Sequence, residues 1–468
     1  MNRITSENQK KFEDFVAAVM EEYEAAGMAV CVFDKNGVSQ YEKYFGYRNE
    51  EEKTLIDENT IFGLASVTKS FTCLAIMQLA EQGKLSLYDP VSKYIPDFTG
   101  ANQPEPVRIW HLMCHTGGYF PLPRILIEDV AKDMGLDEER DGDFAYNEAL
   151  AIEGVKRVAQ RLDAQTELNG LPGENLSYCN DGFALLSDII RTCGDQDSFA
   201  GYLNEHILKP LGMTRSYCDF VRPKTDPNSA TLYIKRDGKR VVTHNYHDNA
   251  FVLNGGGAMK STIADMKKYV CMYLNEGRGL NGTRIASEYS VREMVKPRVP
   301  YRPLGYYGYG LSMKFMDDLN VIEHGGSLTG VSSNMSWSFD GEVGVMVLCN
   351  TSGVGVAAVA NAAMKMYNGK DPIDKRDTFQ ETPWTQETID QACGVYESGE
   401  GGVVELYKKE DGSIGMKNDG KEVDIRPVQP LLAVTKGKLT DGFVKLYRSE
   451  EKGVWGIASG ARIVPKKK

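Results

Sequence analysis

The sequence lacks several features that would tie it to a membrane, an export route or a metal. It has nine cysteines but no CxxC pair, a pattern that favours a reducing compartment in which thiols pack as small apolar side chains. No apolar run approaches the roughly 18 residues of a membrane-spanning helix. The N-terminus has no basic start followed by an apolar stretch, so we expect no signal peptide. These absences predict a cytoplasmic protein without a membrane partner.

The chain also carries fewer positive than negative side chains. The 54 Lys and Arg against 65 Asp and Glu leave a net charge of −11, whereas a nucleic-acid surface needs clustered cations. We therefore expect no nucleic-acid partner. The 42% hydrophobic content with scattered Gly and Pro excludes collagen-like, coiled-coil and wholly disordered chains. At about 150 residues per domain, 468 residues allow two or three domains.

The amino-acid composition changes between the first four fifths of the chain and the last fifth. Polar and helix-breaking residues concentrate between 368 and 389, which predicts a first domain at 1–370 and a linker at 371–392. Residues 393–468 are predicted to form a small β-domain, because short apolar runs alternate there with Asp-Gly turns. The first domain mixes helical segments with antiparallel strands, so we predict an α/β fold whose terminal segments share one sheet.

Ser66-Val67-Thr68-Lys69 places a serine at the predicted start of an apolar helix. Residues three apart share a helix face, so Lys69 can reach the Ser66 hydroxyl, and burial that lowers the pKa of Lys69 would let it accept that proton. Free N–H groups at the helix start suit an oxyanion. The spacing alone is weak, because Ser449 and Lys452 repeat it in a charged turn.

Tyr178-Cys179-Asn180 precedes a second predicted apolar helix, where its Tyr and Asn can project into a cleft. The alternative is that Tyr178 packs in the core, and three further YxN sequences are interpreted as incidental. These begin at Tyr47, Tyr202 and Tyr273.

His324-Gly325-Gly326-Ser327 ends a predicted strand, and glycines there allow close approach of another backbone or a substrate. His115-Thr116-Gly117 resembles this pattern but follows a helical segment, so we interpret His115 as structural. The aromatic tract at 306–310 fits either a cleft surface or a strand with glycine bends. Neither a phosphate-loop spacing nor an HExxH motif is present, and we predict no metal and no cofactor.

Taken in order, Ser66-x-x-Lys69, Tyr178-x-Asn180 and His324-x-Gly326 resemble the three elements of the serine β-lactamase and penicillin-binding-protein superfamily. The surrounding sequence is most similar to class C β-lactamase-like esterases and peptidases. The segment from Cys393 is similar to the lipocalin-like or half-barrel appendages of D-aminopeptidase-type relatives. The resemblance implies an antiparallel sheet flanked by helices, plus a small C-terminal β-domain. The supporting segments are 75–87, 89–90, 112–118, 172–173, 178–183 and 255–262.

The resemblance also implies a serine hydrolase that cleaves an ester or amide bond of a small molecule or short peptide. Ser66 would form the acyl-enzyme, Lys69 and Tyr178 would share proton transfer, and Asn180 would orient Lys69 and the substrate. Which of Lys69 and Tyr178 takes the first proton stays open, because their titrations are coupled.

Substrate binding would fall to the third element. Backbone N–H groups of Ser66 and Ser327 would form the oxyanion hole, while His324 and Gly326 would bind the scissile group. Lactamases and transpeptidases usually carry Lys where this chain has His324, so we expect a preference for neutral acyl groups. The alternatives are a β-lactamase or penicillin-binding carboxypeptidase and, in another class, a non-catalytic scaffold or binding protein.

Overall fold

The computed structural model describes residues 4–137, 148–218, 222–243, 253–373 and 379–467. Within these ranges the strands of the larger, N-terminal unit are β1 Gly27–Asp34, β2 Ser39–Asn49, β3 Thr54–Leu55, β4 Phe62–Gly63, β5 Leu232–Arg236, β6 Lys239–Thr243, β7 Lys260–Ser261, β8 Val299–Arg302, β9 Gly305–Tyr307, β10 Ser312–Met316, β11 Leu319–Leu328, β12 Val331–Ser338 and β13 Val343–Cys349. The strands that follow are β14 Gly394–Glu397, β15 Val403–Lys408, β16 Ile414–Asn418, β17 Lys421–Val423, β18 Ile425–Gln429, β19 Leu432–Thr435, β20 Gly442–Ser449, β21 Gly453–Ser459 and β22 Arg462–Pro465.

The α-helices of the same ranges lie mostly in the larger unit. They are α1 Ser6–Glu22, α2 Thr68–Glu81, α3 Ile109–Met113, α4 Ile127–Asp133, α5 Glu148–Asp163, α6 Asn180–Cys193, α7 Phe199–Leu203, α8 Lys209–Leu211, α9 Arg222–Thr225, α10 Leu253–Gly257, α11 Ile263–Leu274, α12 Glu288–Met294, α13 Val356–Tyr367 and α14 Gln386–Ala392. Among them, none is long and apolar enough to cross a membrane. The cytoplasmic location stays a prediction.

A nine-stranded sheet brings distant parts of the larger unit together. Its order is β3-β2-β1-β13-β12-β11-β10-β9-β8, and its strand pairs run antiparallel. In the β1–β13 pair, Met28 lies opposite Cys349. The early and late segments of the unit therefore share one sheet, as predicted. β11 carries the third sequence element, His324 to Ser327.

Both faces of the central strands are buried, which explains their continuous apolar sequence. Successive side chains of a strand point to opposite faces. Met28 and Val30 of β1 therefore join a core cluster with residues of α1 and α13, while Ala29 and Cys31 join the cluster formed with α2, α6 and α11. Burial of each large aliphatic side chain contributes about 1.5–3 kcal/mol. The predicted sheet flanked by helices is confirmed.

Residues 379–467, here named the C-terminal β-unit, form two smaller antiparallel sheets. β14 to β17 make one sheet and β18 to β22 the other, each in chain order. One core fills the space between them and includes Tyr396, Leu406 and Ile457. A bridge between Tyr396 and Lys466 connects the first strand with the end of the second sheet. The small β-sheets predicted after residue 393 are thus confirmed.

The predicted linker contains ordered structure. α14 begins after Thr385, whose hydroxyl accepts a hydrogen bond from the backbone N–H of Thr388. Ile389 and Ala392 of this helix are buried in the core of the C-terminal β-unit. Residues 374–378 of the linker lie outside the described residues. The division into domains 1–370 and 393–468, with a linker at 371–392, stays a prediction.

Candidate active site

Ser66 lies in a strained turn that leads into α2. The 3-10 turn Ala65–Val67 immediately precedes the helix, and Ala65 has a φ of 49°. A left-handed backbone at a residue other than glycine costs about 1–3 kcal/mol, so its surroundings must hold it. Thr68 Oγ1 donates to the carbonyl of Ala65 at 2.6 Å, and Ser333 Oγ donates to the carbonyl of Leu64 at 2.7 Å. These bonds fix the turn with Ser66 on the wall of a cleft.

β11 passes directly beside this turn because Gly326 has no side chain. A Cβ at Gly326 would lie 2.2 Å from the carbonyl oxygen of Leu64 and 3.1 Å from Cβ of Ala65. The neighbouring Gly325 has no such contact, since its nearest atom would be 3.8 Å away. The close approach brings Ser327 onto the same cleft wall as Ser66.

Lys69 is fully buried beneath Ser66. Its Nζ lies 3.2 Å from Ser66 Oγ, 2.8 Å from Asn180 Oδ1 and 2.7 Å from the carbonyl of Gly256. The amide and the carbonyl oxygens only accept hydrogen bonds. A neutral amine has two hydrogens for these two acceptors and one lone pair left for the Ser66 proton. The geometry therefore suits both the charged and the neutral form of Lys69.

The protein environment favours the neutral form of Lys69 more than water does. Burial, followed by the positive charge of Arg462, lowers the pKa of Lys69 from 10.5 to about 7. Desolvation penalises an ammonium because a low-dielectric site replaces its hydration shell. Near neutral pH a substantial share of the molecules therefore holds an amine that is ready to accept a proton.

Tyr178 lies in the loop before α6, against both Ser66 and Lys69. Its hydroxyl is hydrogen-bonded with Ser66, and its ring centre is 4.8 Å from Lys69 Nζ. Burial raises the pKa of the phenol above its ordinary value, while the hydrogen bond with Ser66 opposes this shift. The phenol is therefore protonated near neutral pH, so it is suited to donate a proton and poorly suited to take the first one.

Asn180 is the first residue of α6, and both ends of its amide are engaged. Its Oδ1 accepts from Lys69 Nζ, and its Nδ2 donates to Glu400 Oε1 at 2.8 Å. The amide thus joins the buried lysine of the larger unit to a carboxylate of the C-terminal β-unit.

The imidazole of His324 is buried and belongs to a relay of hydrogen bonds. His324 Nδ1 lies 2.6 Å from the carbonyl of Gly325, which only accepts, so Nε2 of this neutral ring accepts from the Tyr307 phenol at 2.9 Å. Nε2 of His115 then donates to Tyr307 Oη at 3.3 Å, and its Nδ1 lies 3.1 Å from the backbone nitrogen and 3.2 Å from the carbonyl oxygen of Cys179. Burial, then the charge on Lys69, lowers the pKa of His324 to about 4. Both rings are neutral near pH 7.

A cleft of about 370 Å³ opens beside Ser66. Asn180 and Ser327 line it from the larger unit, and Glu400 and Arg462 line it from the C-terminal β-unit. The side chain of His324 faces Tyr307 and is not part of the cleft wall. The structure thus brings together Ser66, Lys69, Tyr178, Asn180, Gly326 and Ser327, and places His324 behind them.

Sequence reasoning missed three residues of this site. The sequence alone allows two interpretations of the tract at 306–310, whereas in the structure the hydroxyl of Tyr307 links two buried histidines. Glu400 and Arg462 stand in no motif, and Glu400 is 220 residues from Asn180 along the chain. Only the tertiary contact reveals these two.

The part of the chain that the structure describes shows no metal-binding site. No group of three or more His, Cys, Asp or Glu side chains is placed there to hold an ion. His111, which lies four residues before His115, accepts from the backbone N–H of Arg108 at 2.9 Å. Independence from metals and cofactors stays a prediction.

The sequence of this chain is similar to a known protein family and to individual bacterial proteins. The family model described as Beta-lactamase matches residues 12–366. Protein flp of Staphylococcus aureus strain MW2 is 30% identical over 213 residues, which is 45% of this chain and 38% of that protein. The protein flp of strain N315 is 24% identical over 351 residues, which is 74% of this chain and 64% of that protein. The chain thus spans less than two thirds of the length of these relatives.

Two solved structures share the fold along almost the whole chain. The octameric penicillin-binding protein homologue from Pyrococcus abyssi is 25% identical with a TM-score of 0.66, covering 98% of this chain and 99% of that chain. SurE, solved with D-Leu, is 17% identical with a TM-score of 0.70, covering 99% of this chain and 100% of that chain. The family model spans more than half of the residues of this chain, so the chain belongs to the beta-lactamase family.

Proposed function

We propose that this chain is a serine hydrolase that cleaves an ester or amide bond through an acyl-enzyme on Ser66. The observation that carries the proposal is the buried amine of Lys69, 3.2 Å from Ser66 Oγ, with its other two contacts on oxygens that only accept. Burial of a lysine charge costs free energy, so its place next to a serine hydroxyl supports a catalytic role for Lys69. The arrangement matches what an activated nucleophile requires.

Acylation begins when neutral Lys69 takes the Ser66 proton. Ser66 Oγ then bonds to the substrate carbonyl carbon, and the carbonyl oxygen becomes an oxyanion. Backbone N–H groups of Ser66 and Ser327 are our candidates for its stabilisation, because both residues line the cleft. The bond to the leaving group breaks as Tyr178 donates its proton to the departing oxygen or nitrogen, and the Lys69 ammonium returns a proton to Tyr178.

Deacylation follows the same course with water as the nucleophile. Water gives a proton to Lys69 as its oxygen bonds to the acyl carbon, the bond between that carbon and Ser66 Oγ breaks, and the Lys69 ammonium returns the proton to Ser66 Oγ. The oxygen of water ends in the acid product, so the enzyme returns to its starting state. Asn180 holds Lys69 in place during both halves, through the 2.8 Å contact between Nζ and Oδ1.

A β-lactamase or penicillin-binding carboxypeptidase activity is the second candidate, because Arg124 lines the cleft and a cation suits a substrate carboxylate. The other arginine of the cleft wall, Arg462, is paired with Glu400. The expected preference for neutral acyl groups depended on His324, whose ring faces Tyr307 instead. His324 therefore gives no reason to expect a neutral acyl group.

A fluorophosphonate probe tests the nucleophile. Intact-protein mass spectrometry is expected to show one adduct, which is absent in Ser66→Ala and present in Ser449→Ala, the serine of the second SxxK sequence. Label that survives in Ser66→Ala would remove Ser66 as the nucleophile. An unlabelled native protein would favour the non-catalytic scaffold.

A hydrolysis screen then separates the substrate classes. It compares p-nitrophenyl esters, D- and L-aminoacyl amides and nitrocefin; the D-series is included because SurE was solved with D-Leu. An ester or amide that exceeds nitrocefin in kcat/KM would support the proposed hydrolase. Efficient nitrocefin turnover would make a β-lactamase the better assignment.

A further inference from the structure

Backbone hydrogen bonds attach the Tyr178 loop to the C-terminal β-unit. The N–H of Tyr178 donates to the carbonyl of Ala461 at 2.7 Å, and the N–H of Ile463 donates to Ser177 Oγ at 3.1 Å. These bonds lie on either side of Arg462 in the chain. They hold its guanidinium 4.9 Å from the centre of the Tyr178 ring, within range of a cation–π contact.

Glu400 connects Arg462 with Asn180. Its Oε2 accepts from Arg462 Nε, and its Oε1 accepts from Asn180 Nδ2. An ionised carboxylate only accepts hydrogen bonds, so Asn180 must turn its NH₂ group toward Glu400 and its oxygen toward Lys69. The opposite amide orientation would point two donors at the Lys69 amine.

We propose that Glu400 and Arg462 form a positioning pair that completes the active site from the C-terminal β-unit. Glu400 fixes the amide of Asn180, and the two charges together set the charge balance at Lys69. The catalytic consequence rests on the proposed function. The pair itself lies outside the three sequence motifs and is carried by the contacts on Tyr178 and Asn180.

The surroundings of Lys69 leave few charges to compete with this pair. Burial raises the pKa of the two nearby thiols and of the Tyr178 phenol, and it lowers the pKa of the two nearby imidazoles, so these groups are uncharged near pH 7. Asp181, on the cleft wall, has its pKa raised to about 6 by burial, and the anion of Glu400 also raises it. The titratable and charged groups around Lys69 and on the cleft wall are Cys73, His115, Arg124, Tyr178, Cys179, Asp181, His324, Glu400 and Arg462.

The two charges act on Lys69 in opposite directions. The cation of Arg462 lowers the pKa of Lys69, and the anion of Glu400 raises it. Lys69 Nζ and Arg462 Cζ each lie within 4.9 Å of the centre of the Tyr178 ring, so the cations are less than about 10 Å apart. At that distance, with an effective dielectric constant near 20, removal of one charge shifts a pKa by about 1 unit or more.

The test compares Arg462→Met, Glu400→Gln and the double variant in the full-length protein. ¹³C-labelled lysine and NMR give the pKa of Lys69, with its signal assigned by its loss in Lys69→Met. In parallel, the pH profile of kcat/KM gives the midpoint of the acidic limb, where activity falls as Lys69 becomes charged. We expect Arg462→Met to move both to higher pH by about 1 unit or more and Glu400→Gln to move both to lower pH. The double variant should fall between them.

Matched controls come from the same β-unit. Arg448 and Glu387 form an exposed ion pair at 2.9 Å, and Arg448→Met and Glu387→Gln should leave the pKa of Lys69 and the pH profile unchanged. Arg462→Lys keeps the positive charge, so the pKa of Lys69 should stay near its native value. This variant also keeps the test valid if Arg462→Met folds poorly.

Equal shifts of one sign in both single variants, or no shift in either, would overturn the positioning pair. The NMR titration does not depend on activity. If the native protein fails to label at Ser66 but the opposite shifts appear, the pair stands and the proposed function falls. If Ser66 labels and the pKa of Lys69 stays fixed, the proposed function stands and the pair falls.

Discussion

Lys69 combines three properties that each depend on a different part of the fold. Its position under Ser66 comes from helix periodicity, its two oxygen partners come from α6 and α10, and its lowered pKa comes from burial. Sequence spacing predicted only the first of these, because residues three apart on a helix share a face in any context. Burial depth and partners depend on tertiary packing, which a local pattern does not contain.

Substitution of either proton-transfer residue should remove most of the activity. We expect Lys69→Ala and Tyr178→Phe each to lower kcat/KM on the best ester by about 10² or more, the usual scale of acid–base catalysis. The measurement is steady-state kinetics, with circular dichroism to show that each variant is folded. Lys452→Ala, in the second SxxK sequence, is the control and should retain native kinetics. Near-native rates in both active-site variants would exclude this base and acid.

The elements around the site were predictable where one physical pattern dominated the sequence. β1 and β13 are buried on both faces and therefore read as continuous apolar runs, and α2 ends just before Gly83, which has a φ of 71°. The tract at 306–310 was ambiguous, because aromatic residues suit both a strand and a cleft. Only the contact of Tyr307 with His324 decides its place.

The fit of β11 against the Ser66 turn gives a prediction with an internal control. Gly326→Ala would place a methyl group 2.2 Å from the carbonyl oxygen of Leu64, so the turn or the strand must move. We expect the rate of Ser66 labelling to fall by about 10-fold or more, since small displacements of catalytic groups cost large rate factors. Gly325→Ala meets no atom closer than 3.8 Å and should label at close to the native rate. Equal rates in the two variants would contradict this packing role.

At the scale of the whole molecule, the candidate active site lies where the larger unit meets the C-terminal β-unit. The sequence predicted the sheet flanked by helices and the small C-terminal β-sheets, because strand and turn signals are local. It did not predict that Glu400 and Arg462 would line the cleft, since no periodicity relates them to Asn180 or Tyr178. Contacts between residues more than 200 positions apart are set by how the sheets dock, which is a property of the finished fold.

Damage to the core of the C-terminal β-unit should therefore reach the active site. Ile457 is fully buried there, and Ile457→Ala is expected to destabilise the unit by about 2–5 kcal/mol. We expect hydrolysis to be lost at a lower temperature, together with the unfolding of this unit as followed by tryptophan fluorescence. Val395→Ala, at a partly exposed position of β14, should change neither. Activity that persists after the β-unit has unfolded would show that the larger unit is sufficient by itself.

The pH dependence of Ser66 labelling is the most direct test of the central claim, that neutral Lys69 activates Ser66. Because the pKa of Lys69 is lowered to about 7, the amine is charged below that pH and becomes neutral as the pH rises through it. The rate of fluorophosphonate labelling, followed by intact-protein mass spectrometry, should increase with pH, with a midpoint near 7 and a plateau about one unit above. A rate independent of pH between about 5.5 and 8.5, or a midpoint near the ordinary lysine value of about 10.4, would contradict it.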